Sequence, residues 1–130
     1  MSRFVTRLEV ELVDDDENDG RGAWRVTLPL VYESDIAGTI AVPAGFVTDF
    51  ASVPRIPVAY WLAGDTAHAP AVIHDFLYST GETSRATADA VLCEAMAVSG
   101  VPAWRRWPMY LAVRLFGWLN FGGSNASENR

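Results

Sequence analysis

Apolar and polar positions change their spacing midway along the chain. Between residues 4 and 13, Leu8, Val10 and Leu12 alternate with acidic neighbours, as in a half-buried strand. The acidic run DDDENDG, residues 14–20, ends that segment. A second β-rich segment, AWRVTLPLVYES, carries Pro29, which favours an edge strand or a break. A third, GTIAVPAGFVTDF, is divided by Pro43 and Gly45. These segments predict a small antiparallel sheet with strands near 4–13, 23–33 and 39–48.

Beyond the loop ASVPRIP the apolar period lengthens to that of a helix and alanine becomes frequent. Pro70 suits a first turn and Gly81 the position past an end, predicting a helix over 70–79. Thr83 or Ser84 caps a second helix reaching Ser99, stopped by Gly100 and Pro102. A third is predicted from Pro108 to Leu119. The expected fold class is therefore α+β: an N-terminal antiparallel sheet, then three helices. It is read as a single domain over 1–121, with a disordered polar tail over 122–130.

Composition narrows the function classes. The chain has 130 residues, half of them hydrophobic, which is enough for one real core. A formal charge of −6 argues against a phosphate-tracking surface, so no nucleic-acid partner is expected. A single cysteine, Cys93, excludes an internal disulfide and a multi-cysteine zinc site. It falls on a predicted buried face without an electropositive neighbour, which argues against a nucleophile. The N-terminus lacks the apolar block of a signal peptide. Arg114 interrupts the apolar stretch WPMYLAVRLFGWLNF, which is too short to span a membrane.

Chemistry concentrates in VIHDFLYSTG. On a helical wheel Val72, Ile73, Phe76 and Leu77 form one arc, and His74, Asp75 and Tyr78 lie on the other. His74 and Tyr78, one turn apart, can look into one groove. Asp89 in the next helix shares its face with Leu92, Cys93 and Met96, and an inward carboxylate needs a donor. A short loop makes the two helices antiparallel neighbours, so His74 or Tyr78 is the nearest donor. An Asp-held His has its tautomer fixed, as a general base requires. Two blander roles stay open: solvent-facing polar residues on the first helix, and Asp89 as a helix-start carboxylate serving the macrodipole.

A second group follows Pro43 and Gly45, where Thr48, Asp49, Ser52 and Arg55 crowd together. Asp49 could join Asp75 in holding a hard cation or could orient His74; its alternative is a local cap. Residues 14–20 do not form a calcium loop, because the position for its closing glutamate is Val26. His68, off the helical spacing from His74 and ahead of Pro70, reads as a loop residue.

Four ordered motifs, PAGFVTDFASVPR, HDFLY, Ala88-Asp89 to Met96, and Met109-Tyr110 to Gly117, resemble the phage and prophage family catalogued as domain of unknown function 1353. The resemblance spans roughly 25–120 and implies a phage or prophage origin, with a virion or host-cytoplasm location expected, and no particular activity. The helix pair HDFLY and ADAVL is also similar to the His-Asp helix pair of phospholipase A₂, the parvovirus form in particular. That likeness implies His74 as base, Asp89 as its orienter, Tyr78 as a supporting hydrogen-bonder and Asp75 as a cation ligand. The family's glycine-rich calcium loop is replaced here by VPAGFVTDF, so the implied cofactor is a divalent cation rather than calcium in particular.

Two functional expectations result. One is a metal-assisted hydrolase using His74, Asp89 and Tyr78, with Asp75 and Asp49 on the cation. The other is a non-catalytic virion or assembly protein whose polar cluster stabilises the fold. The third helix is apolar around most of its circumference, which suggests other virion proteins or a second copy of the chain as partners.

Overall fold

The computed structural model describes residues 1–14, 23–48 and 68–116. The α+β order holds: strands come first and three helices follow. Each of the three predicted β segments is bent once and yields two short strands. The first gives β1 (Arg3–Phe4) and β2 (Val10–Asp14), the second β3 (Ala23–Val26) and β4 (Leu30–Ser34), the third β5 (Gly38–Val42) and β6 (Val47–Thr48). Two antiparallel sheets result, β1-β4-β5 and β2-β3-β6, each with the segments in the same order. The expected single sheet is thus a meander creased along one line.

The crease falls where prolines and threonines stand. Thr6 Oγ1 donates to the Pro29 carbonyl at 2.8 Å and accepts from the Val31 amide at 2.9 Å. Proline cannot donate to a ladder, and here a side chain from the neighbouring segment occupies the gap. At the third segment Gly45, with φ +97°, turns its amide onto the Val26 carbonyl at 2.7 Å. In β4 and β5 alternate residues point inward: Leu30, Tyr32 and Ser34, with Ile40 and Val42.

The helices are α1 (His68–Thr80), α2 (Arg85–Val98) and α3 (Ala103–Phe116). Pro70 sits in the first turn of α1, and Gly81, at φ +67°, ends the helix by donating to the Leu77 carbonyl. His68 opens α1, contrary to its expected place in a loop, because Pro70 tolerates two helical residues ahead of it. Ser84 caps α2, its Oγ accepting from the Thr87 amide at 3.1 Å. At the other end Gly100 donates to Ala97 and Val101 to Met96, the paired bonds of a Schellman stop. The third helix begins at Ala103, five residues ahead of the expected start, and Pro108 lies inside it.

The buried apolar residues form one cluster that joins β3, β4 and β5 to all three helices. α1 is central, packed on α2 and touching β4, β5 and β6. That position explains a departure from the wheel. His74, Asp75 and Tyr78, read as lying off the core stripe, are all buried, as are Ala71, Val72, Ile73 and Leu77. A helix with neighbours on both sides has two interior faces, and a single-stripe reading sees only one.

Candidate functional site

The polar residues of α1 sit where two neighbouring elements approach it. His74 and Tyr78, four residues apart, face α2, and Asp75 faces β6. On α2, Asp89 meets the first pair and is itself wholly buried. The Nε2 of His74 lies 2.7 Å from Asp89 Oδ1, and the Tyr78 hydroxyl donates to the same oxygen at 2.5 Å. The two rings stack at a tilt, centroids 4.1 Å apart. The expected pairing of Asp89 with the residues of HDFLY is therefore present.

The second oxygen of Asp89 is also engaged. Arg114 of α3 donates to Oδ2 through Nη1 at 2.8 Å, and the Arg85 guanidinium stands 3.7 Å from it. Arg85 also donates to the Val113 and Arg114 carbonyls, both at 3.0 Å, in the last turn of α3, where helical partners run out. One carboxylate thus ties together α1, α2 and α3.

These contacts set the charge states. Burial pushes the Asp89 carboxyl up, but bonds from His74, Tyr78 and Arg114 outweigh it and hold the group below the ordinary carboxylate value. Burial drives the His74 imidazole below its ordinary value despite Asp89. Arg114 already balances the carboxylate, so His74 need not carry a proton. A neutral His74 donates from Nε2–H, because an ionised carboxylate can only accept. Its Nδ1 is then the basic nitrogen. Burial, followed by the bond to Asp89, raises the Tyr78 phenol and keeps it protonated.

Asp75 accepts a short hydrogen bond from Thr48 Oγ1, and both side chains are buried. Beside this bond, Phe46 meets Phe76 edge to face with ring centroids 5.4 Å apart. Asp49, the other expected cation ligand, lies outside the described residues. Among the described residues no group of three or more His, Cys, Asp or Glu side chains is placed to hold a metal ion.

Sequence reasoning missed two participants. Arg114 read as an interruption of an apolar run, although a lone arginine there is the signal for a buried acid elsewhere. Glu94 stood inside a quoted motif without a role. It accepts from the Tyr32 hydroxyl and Ser34 Oγ, each at 2.7 Å, and so joins α2 to β4. Cys93 beside it is half-buried, and burial raises its thiol, which keeps it a poor nucleophile.

Fold and site together define an α+β protein whose helical half is organised around one buried carboxylate with a histidine, a tyrosine and arginines on it. The chain belongs to the family described as "Protein of unknown function (DUF1353)", whose family model matches residues 24–113. The matched span runs from β3 into α3 and contains Thr48, His74, Asp75, Tyr78 and Asp89, with Arg114 one residue beyond it. No curated protein and no solved structure matches the chain. Among the described residues no helix is long and apolar enough to cross a membrane.

Proposed function

We propose that the protein is a non-catalytic assembly component of a phage or prophage particle, in which the Asp89 cluster holds three helices in one arrangement. The carrying observation is the saturation of Asp89: both oxygens are hydrogen-bonded, by donors from α1 and α3, and the carboxylate is sealed with His74 at 0 % exposure. A buried ion group with every oxygen satisfied fixes one packing and penalises others. The phage setting rests on the four-motif resemblance.

A second reading, a hydrolase, is favoured by the bond from His74 Nε2 to Asp89 Oδ1 with Tyr78 on the same oxygen, the arrangement the phospholipase A₂ likeness implies. In it His74 Nδ1 takes a proton from water as the oxygen attacks an ester carbonyl and returns it to the departing alcohol, and Asp75 with Asp49 would hold a cation that stabilises the oxyanion. Two features weigh against it. Arg114 draws on the charge of Asp89, and Asp75 is already an acceptor for Thr48.

Thermal unfolding with and without millimolar calcium, magnesium or zinc, run beside a fluorogenic ester and phospholipid assay, separates the two. The assembly reading expects no hydrolysis above buffer and no cation-induced stabilisation. Hydrolysis that disappears in a folded His74→Gln variant would overturn it.

A further inference from the structure

The outer face of α3 is built the wrong way round for a helix exposed to water. Between Ala103 and Leu115 every exposed residue is apolar: Ala103, Trp104, Trp107, Pro108, Leu111 and Leu115. Trp104 is 64 % exposed, Trp107 50 %, Leu111 58 % and Leu115 65 %. The arginines of the same helix are only partly exposed, and two of them visibly point elsewhere. Arg114 is spent on Asp89, and Arg106 donates to the Val101 carbonyl at 2.9 Å with its guanidinium 5.8 Å from the Trp107 ring centre.

We infer that this face is the interface between two copies of the chain. The spacing of Trp104, Pro108, Leu111 and Leu115, alternately four and three residues, is the seam one helix presents to another. Charge agrees with a like partner. The chain carries −6 and repels its copies in general, whereas no exposed residue of this face is acidic and Arg114 is turned inward onto Asp89. A lipid surface would instead favour outward basic residues flanking the aromatics.

Area agrees as well. Two half-exposed tryptophans offer on the order of 250 Å², and with Leu111, Leu115 and Pro108 the patch reaches roughly 500 Å², near the upper end for a monomer. Two such faces bury about 1,000 Å², the size at which specific interfaces begin. Through Trp107 the patch continues into an open groove of about 300 Å³ between α2 and α3, lined also by Ile36, Cys93, Arg106, Tyr110 and Glu94, whose Oε1 is taken by Tyr32 and Ser34. Ile36 on its rim is half exposed, and the groove accepts a large apolar side chain of the second copy.

The interface deepens the assembly reading and rests on it only for its purpose. Ester hydrolysis would remove that reading and leave the interface standing, whereas a monomeric wild type would remove the interface and leave the Asp89 lock. The test is light scattering after gel filtration on the full chain, with Trp104→Glu and Leu111→Glu, and with Leu115→Lys in reserve should either melt early. The expected wild-type mass is twice 14.2 kDa at concentrations above about 10 μM. Each variant is expected at the monomer mass with unchanged circular dichroism. A wild type still monomeric at about 1 mM overturns the proposal, as does a dimer that all three substitutions leave intact. A monomer that sediments with neutral phosphatidylcholine vesicles also overturns it, assigning the face to lipid.

Discussion

Asp89 is the residue at which side chains of all three helices meet. A buried carboxylate is costly unless its lone pairs are taken, and here His74, Tyr78 and Arg114 take them. Asp89→Asn keeps the volume but leaves Arg114 facing a neutral amide; it is expected to cost about 3–5 kcal/mol in urea unfolding. Tyr78→Phe removes one donor to a charged oxygen and is expected to cost about 1.5–3 kcal/mol. A loss below about 0.5 kcal/mol for Asp89→Asn, the scatter of ordinary surface changes, would mean that the carboxylate is not a structural hub. The link from His74 to Asp89 was legible in the sequence because an acid on an apolar helix face demands a donor nearby. Arg114 was not, since a charge inside an apolar run gives no indication of which distant residue it meets.

At the level of elements, local signals carried furthest where the chain punctuates itself. Pro70, Gly81, Ser84 and Gly100 mark the ends of α1 and α2 to within two residues, because caps and stops act through neighbouring backbone groups. The sheet was legible in strand order but not in its crease. Pro29, Pro43 and Gly45 announced breaks in two segments, yet nothing local states that the breaks align across three strands. That alignment is made by contacts between segments, such as Thr6 with Pro29 and Val31. The start of α3 was misplaced because Pro108 looks like an N-terminal residue, whereas Pro102 provides the first carbonyl, accepting from the Arg105 and Arg106 amides.

For the whole molecule, the central position of α1 converts a polar face into a second interior. Thr48 and Asp75 tie β6 to α1, His74, Tyr78, Asp89 and Arg114 tie the three helices together, and Glu94 separately fastens α2 to β4. A sealed neutral histidine links this packing to pH. The unfolded chain binds a proton at His74 near its ordinary value of 6.5, and the folded chain binds it only at lower pH. Stability is therefore unaffected by His74 above pH 6.5 and falls as pH drops below that value, since the unfolded state then holds more protons. The most direct test is the pH titration of the His74 ring nitrogens by ¹⁵N NMR on the folded protein. The account predicts a neutral ring protonated at Nε2 that titrates only below its ordinary value. A ring that titrates at its ordinary value or above contradicts it, because His74 would then be open to water or charged against Asp89.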